Sequence, residues 1–329
     1  MLGPAPAAPG PALGGPGPRR GTAQADRRGG GLPAVGRIDY GRSLRFGYLL
    51  TPLADASALE LGEEADRLGL DLVGVRDHPY QRRYHDAFAL MAVLLARTSR
   101  IRVFPDVACL PLRPPTVLAK TVASLAELSG DRIELALGAG AEWEAIEEYG
   151  GTRRTTAQGR AALGEAIEIA RLIWSDLRVA RFEGGHYRLS GARPVLPSLP
   201  GVWLGVTGPK SLELTGRAAD GWVVTSAQVP PARLPESQQI IDAAARAAER
   251  DPAAIRRVYN VIGSIDEAAR RGPFSGPVEQ WVEDLAGLAT TCGIDTFIFA
   301  GPAEQLPTFA LEVVPAVRSL VVRLRGRTG

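Results

Sequence analysis

The stretch Leu128-Ser129-Gly130-Asp131-Arg132-Ile133-Glu134-Leu135-Ala136-Leu137-Gly138-Ala139-Gly140 holds the end of a helix, a strand and a turn in one short run. An apolar segment of helical period over residues 116–128 stops at Ser129-Gly130, where glycine suits the left-handed C-cap. A short apolar run over 132–137 then reads as a strand, and Gly138-Ala139-Gly140 turns the chain out of it. The same unit recurs on both sides. Strands are expected over 45–50, 72–76, 101–107, 132–137, 202–206, 221–225, 257–262 and 296–300. Helices are expected over 57–68, 87–98, 116–128, 158–174, 209–217, 234–250, 277–291 and 303–320, with Gly69 and Gly293 as further left-handed caps. Eight alternating units are the count of an α/β fold closed as a (β/α)8 TIM barrel. An open dinucleotide-binding sheet would carry a G-x-G-x-x-G turn after its first strand, whereas here that strand runs into Thr51-Pro52-Leu53. Residues 177–200 break the rhythm with two strand-like runs around Glu183-Gly184-Gly185, then a Pro-rich return, which reads as an insertion hairpin between units 4 and 5.

Composition narrows the function classes. Among 329 residues, 38 Lys+Arg stand against 36 Asp+Glu, so no strong field is available to hold nucleic acid or an anionic membrane. No run approaches the roughly 20 uninterrupted apolar residues that span a bilayer. Cys109 and Cys292 are too few for a structural zinc site or a disulfide framework, and a reducing, cytoplasmic setting is expected with no metal. Residues 1–36 hold 10 Gly, 7 Pro and no aromatic residue. A segment of that composition buries too little to offset its ordering entropy, so residues 1–43 are expected to be a disordered tail and 44–329 the barrel domain. Arg19-Arg20 has no apolar run after it to make an export signal.

Barrel enzymes place their chemistry where strands end and βα loops converge. His78 follows the second strand beside Asp77. Its imidazole can exchange a proton near neutral pH. A structural histidine bonded to Asp77 is the competing reading, while His85 and His186 read as surface or loop residues. Gly138-Ala139-Gly140 and Thr207-Gly208-Pro209 end the fourth and fifth strands, where backbone N–H groups of a glycine turn or helix start can bind phosphate. Glycine turns also occur for backbone reasons alone. Thr225-Ser226 closes the sixth strand and offers hydroxyls to the same region or to its own loop. Tyr80, Glu142 and Trp143 are assigned to the substrate side, although a carboxylate at a helix start has dipole reasons of its own. Cys109 reads as a buried packing residue.

Four stretches together resemble the luciferase-like (LLM-class) flavin or deazaflavin oxidoreductases: Asp77-His78-Pro79, residues 100–120, residues 128–140, and Gly205-Val206-Thr207-Gly208-Pro209-Lys210 with Ala218-Ala219-Asp220-Gly221-Trp222. The resemblance covers about residues 45–320 and implies a (β/α)8 barrel that transfers hydride between coenzyme F420 and a small organic substrate. It further implies Asp77 and His78 as a catalytic pair with His78 as acid/base, and a cis peptide at Asp106-Val107 whose bulge, with Ala108, supports the ring. Asp106 stands where the family usually has a small residue. An FMN-dependent monooxygenase on the same barrel is the alternative, followed by a non-catalytic flavin-binding protein. The family also implies a homodimer, and apolar outer-helix residues such as Leu90, Val93 and Leu94 point the same way. Gln228 stands where sugar-phosphate dehydrogenases of the family carry lysine, which argues against a sugar-phosphate substrate.

Overall fold

Eight strands each contribute one side chain to a shared interior plug. Leu49, Leu72, Phe104, Ala136, Trp203, Val223, Val258 and Ile298 form that buried cluster, and the Phe104 and Trp203 rings meet at 5.1 Å between centroids. Alternate strand residues, among them Phe46, Val73, Val103, Leu135 and Leu204, face outward into a second core beneath the helices, as the twofold strand period requires. The computed structural model describes residues 38–194, 200–267 and 270–327, and these belong to one compact unit.

The elements run β1 (Arg45–Leu50), α1 (Ser57–Arg67), β2 (Leu72–Val75), α2 (Ala87–Arg97), β3 (Arg102–Pro105), β4 (Ala108–Cys109), α3 (Pro115–Ser129), β5 (Leu135–Gly138), α4 (Trp143–Glu148) and α5 (Thr156–Ile173). There follow β6 (Ala180–Glu183), β7 (Arg188–Ala192), β8 (Val202–Gly205), α6 (Pro209–Ala218), β9 (Gly221–Thr225), α7 (Leu234–Ala247) and β10 (Arg256–Val261). Short β11 (Ser264–Ile265) and β12 (Ser275–Gly276) precede α8 (Val278–Thr291), β13 (Thr296–Phe299), α9 (Leu306–Thr308) and α10 (Val314–Gly326).

The parallel sheet has the spatial order β3-β2-β1-β13-β10-β9-β8-β5-β4. β3 and β4 are halves of one strand, so eight strands make the barrel. A parallel bridge between Val103 and Ile133 closes it, with the Val103 N–H on the Arg132 carbonyl at 2.9 Å and the Glu134 N–H on the Val103 carbonyl at 3.0 Å. Gly69, Gly130 and Gly293 have φ of 83, 71 and 66°, the left-handed caps expected from their places after helices. β6 and β7 pair antiparallel between α5 and β8.

Several expectations need correction. The fourth strand begins at Leu135 rather than 132, because Ile133 is spent on the closing bridge. The third strand is interrupted at Asp106-Val107, a cis peptide. The expected tail, 1–43, ends too late: residues 1–37 lie outside the described residues, but 38–43 are tied to the barrel. There the Ile38 N–H reaches the Thr291 carbonyl at 3.1 Å, the Tyr40 hydroxyl reaches Asp242 at 2.7 Å, and Asp39 pairs with Arg325 at 2.9 Å. Leu90 and Leu94 are buried beneath α2 rather than presented outward, and only Val93 of the three is exposed. The helical stretch Ala303–Gly326 is long and apolar enough, by length and composition, to cross a membrane. Here Val313, Val314, Val317 and Val321 spend that apolar face on the core, and Arg318 is bonded to Asp71 at 2.7 Å.

Candidate active site

The C-terminal ends of the strands gather the candidate residues at one mouth. On the β2 side, strand alternation turns Asp77 outward and His78 toward the mouth. Asp77 is buried and accepts hydrogen bonds from Arg113 Nε at 2.6 Å and Nη2 at 2.5 Å. It also accepts the Cys109 N–H at 2.9 Å. Arg113 in turn pairs with Asp86 at 2.7 Å and lies over the Phe88 ring at 4.6 Å. The carboxylate therefore ties the loop that carries His78 to the strand that follows the bulge. The bond from His78 to Asp77 that the competing structural reading would need is not made; His78 bonds another residue instead.

That other bond runs from His78 Nδ1 to the Tyr80 hydroxyl at 2.6 Å, with Tyr80 and Tyr84 both edge-on to the imidazole. Nε2 has no partner among the described residues. Burial lowers the His78 pKa, with Glu142 pulling it up and Arg76 pushing it down, so the ring is neutral at pH 7. Burial, followed by the Glu142 charge, raises the Tyr80 pKa well above its usual value, so the phenol keeps its proton. Glu142 thus acts on both members of the pair.

Asp106 and Val107 cross the floor of the mouth. Asn260 Nδ2 donates to Asp106 Oδ2 at 2.9 Å, and burial pushes the Asp106 carboxyl up to about 6. The Val107 side chain sits where Cβ atoms on two facing strands would collide with it: one added at Gly138 would stand 2.6 Å from Val107 Cγ2, and one at Gly205 2.8 Å from Cγ1. Ala108 begins β4 and is buried beside them. Cys109 is a buried thiol whose pKa burial pushes up to about 11.

Across the mouth a cavity of about 130 Å³ lies against Ala139 and Gly140, with Arg154, Thr156, Arg160 and Ser211 on its walls. Gly140 has φ +96°, open to glycine and strained for other residues. The cavity lies beside the N-terminus of α5, which carries a Thr155–Gln158 capping box, and beside that of α6, where Gly208 is the cap residue and no side chain bonds the first N–H groups. Pro209 opens α6 without an N–H, Thr207 precedes the cap, and the Ser211 and Leu212 N–H groups return to the Gly208 carbonyl at 2.9 Å, so of the first turn the Lys210 N–H is left for an anion. Arg154 Nη1 reaches the Tyr187 hydroxyl at 3.1 Å, and its guanidinium lies 5.3 Å over that ring. Tyr187 belongs to the turn between β6 and β7, whose Gly185, His186 and Tyr187 N–H groups all bond Glu165.

Not every candidate joins these groups. Trp143 opens α4 and stands against Gly140, with Cη2 3.2 Å from a Cβ built there, so it walls the glycine cavity rather than the His78 side. Thr225 Oγ1 accepts the Gln228 N–H of its own loop at 3.3 Å, and Ser226 Oγ accepts the Ile262 N–H just past the neighbouring strand β10 at 3.0 Å; both oxygens are engaged by backbone. His85 is exposed. Among the described residues no group of three or more His, Cys, Asp or Glu side chains is arranged to hold a metal ion. Sequence reasoning missed Arg154, Thr156, Arg160 and Ser211, although a basic residue and hydroxyls at two helix starts are the local signal. It also missed Asn260, whose signal is a polar residue two places after Val258 on the inward face.

The family model for luciferase-like monooxygenases matches residues 46–271, which contain nearly all of this mouth. The chain belongs to the luciferase-like monooxygenase family. Among its relatives, an F420-dependent glucose-6-phosphate dehydrogenase of Kineococcus radiotolerans is 33% identical over 57% of this chain and 58% of its own length. An F420-dependent hydroxymycolic acid dehydrogenase of Mycobacterium tuberculosis is 31% identical over 66% and 63%, so the match spans less than two thirds of these two relatives. A further F420-dependent glucose-6-phosphate dehydrogenase, of Gordonia bronchialis, is 31% identical over 75% and 77%. Among solved structures, an F420-dependent secondary alcohol dehydrogenase in complex with an F420-acetone adduct superposes on this luciferase-like barrel with TM-score 0.74 at 20% identity, covering 84% of this chain and 99% of that one. The coenzyme F420-dependent tetrahydromethanopterin reductase of Methanopyrus kandleri gives 0.71 at 17%, covering 83% and 99%.

Proposed function

We propose that this luciferase-like barrel is an F420-dependent oxidoreductase that exchanges a hydride with a small alcohol or carbonyl substrate, His78 holding the coupled proton. The observation that carries the reading is a neutral imidazole at the barrel mouth, fixed at Nδ1 by Tyr80 and open at Nε2, opposite a glycine-floored cavity beside two helix starts. The names of the relatives and the superposition on F420-dependent barrels support the coenzyme.

The residues present fit such a group. The glycine turn and the first turn of α6 offer backbone N–H groups to its phosphate, Arg154, Thr156, Arg160 and Ser211 surround that place, and a buried Asn260 Oδ1 at the floor has no partner. When bound, the deazaflavin supplies the ring carbon that gives or takes hydride, a chemistry no side chain carries. The chain's own part is acid/base. With Tyr80 donating to Nδ1, Nε2 bears the proton that a nascent alkoxide takes; with Nδ1 donating instead, Nε2 is the base that accepts an alcohol proton. Asp77, through Arg113 and the Cys109 N–H, keeps His78 and the floor in register.

We place the enzyme in the cytoplasm, in keeping with its two buried free cysteines, and assign it a homodimer on family resemblance. An FMN-dependent monooxygenase would share the phosphate cradle and differ in the ring. His78→Ala tests the assignment: single-turnover hydride transfer is expected to fall by about 10²- to 10⁴-fold, with coenzyme affinity within a few-fold. Loss of affinity and melting temperature together, with a normal rate for the bound fraction, would make His78 structural.

A further inference from the structure

The floor of the mouth holds a carboxylate for which the acid/base role of His78 has no use. Asp106 lies two residues beyond inward-facing Phe104, so its side chain enters the barrel. Room for it is made by glycine: a Cβ at Gly74 would stand 2.8 Å from Asp106 Oδ2. Asn260, 2% exposed, reaches from β10 to give that same oxygen a hydrogen bond of 2.9 Å. Asn260 Oδ1 remains buried without a partner. Arg76, at the end of β2, is the charged group that acts on Asp106, and it forms no ion pair among the described residues. Gly74 and Phe104, the other groups packed against the carboxylate, bring no charge. Desolvating a carboxylate that has one amide hydrogen bond and no ion pair among the described residues is costly.

We propose that Asp106 sets the redox balance of the coenzyme bound at this mouth, its negative charge opposing the reduced ring so that the site favours hydride delivery to the substrate over hydride removal from it. The inference rests on the coenzyme reading above. In delivery, the C–H bond at the ring carbon breaks with both electrons going to the substrate carbonyl carbon. The carbonyl oxygen takes a proton from His78; the ring is oxidised and the substrate reduced. The ring thereby loses one unit of negative charge, and hydride removal from the substrate adds that unit back. Charge beside the ring is one of the levers by which a protein tunes such a cofactor. A unit charge several Å away, at an effective dielectric near 20, is worth about a tenfold to hundredfold bias between the two redox states. Burial sets the carboxyl to titrate at about 6, Asn260 and Arg76 pulling it down. The bias is therefore present at pH 8 and absent at pH 5.

Dissociation constants for oxidised and reduced F420, measured anaerobically on the wild type, Asp106→Asn and Asp106→Ser at both pH values, test this without turnover. At pH 8 the ratio of reduced to oxidised constants is expected to be at least about tenfold larger for the wild type than for Asp106→Asn, with the difference gone at pH 5. Asp106→Ser, whose shorter side chain needs no more room, gives the same reading if Asp106→Asn fails to fold. Equal ratios for the wild type and the variants at pH 8 would overturn the proposal while leaving the coenzyme reading intact. Failure of folded wild type to bind either redox form would remove both.

Discussion

The acid/base role proposed for His78 depends on a single hydrogen bond whose partner, Tyr80, lies two residues away. Tyr80 keeps its proton because burial raises its pKa, so it can donate to Nδ1 and favour the neutral imidazole. Burial works in the same direction on His78 itself. The acid limb of kcat/KM for alcohol oxidation is therefore expected below the unperturbed value near ~6.5. In Tyr80→Phe it should move back toward 6.5 and the rate should drop about tenfold; an unmoved limb would show that Tyr80 does not set the imidazole's proton. Because the folded pKa lies below the unfolded one, the unfolded chain takes up the proton first as pH falls through 6.5, and this residue's contribution to stability declines there. Asp77 belongs to a different layer of the design. Its partner Arg113 stands 36 residues along the chain, and no local pattern announces that pairing; adjacency offered only the bond to His78 that the competing structural reading would need.

The cradle is made by three elements that meet only in the closed barrel: the turn after β5, the start of α5 and the start of α6. Gly140 is the tightest point, with φ +96° and a would-be Cβ 2.9 Å from Pro111 Cγ and 3.0 Å from Ile146 Cδ1. Gly140→Ala should cost about 1–3 kcal/mol in backbone strain alone, lowering the melting temperature by several degrees and F420 affinity about tenfold; unchanged affinity would remove the turn from the coenzyme site. The glycine turn and the strand-helix rhythm were legible because period and cap chemistry are local signals. Arg154 was not, since its meaning depends on Tyr187 from the β6–β7 turn, 33 residues away. Nor was Asn260, which meets Asp106 across 154 residues of sequence. The short helix α4 escaped notice because one and a half turns give too little period to read, which is also why Trp143 was assigned to the substrate rather than to the glycine cavity.

At the scale of the whole molecule, the closed end of the barrel is finished by chain that composition alone assigned to a tail. Tyr40 reaches Asp242 and lies 5.2 Å from the guanidinium of buried Arg257, and Arg42 pairs with Asp295 at 3.5 Å. Truncation through residue 37 is expected to leave the melting temperature unchanged, since that segment's Gly/Pro-rich composition offers little to bury. Truncation through 43 should lower it by several degrees, because it leaves Arg257 and Asp295 short of partners. Equal melting temperatures for the two truncations would contradict the docking of residues 38–43. The account as a whole stands on which ring the mouth accepts. Purified protein titrated with F420 and, separately, with FMN, each followed by absorbance and fluorescence, is the direct measurement. Saturable micromolar binding of F420 with no comparable binding of FMN is the expected result, whereas a yellow protein that retains FMN through purification and ignores F420 would contradict it.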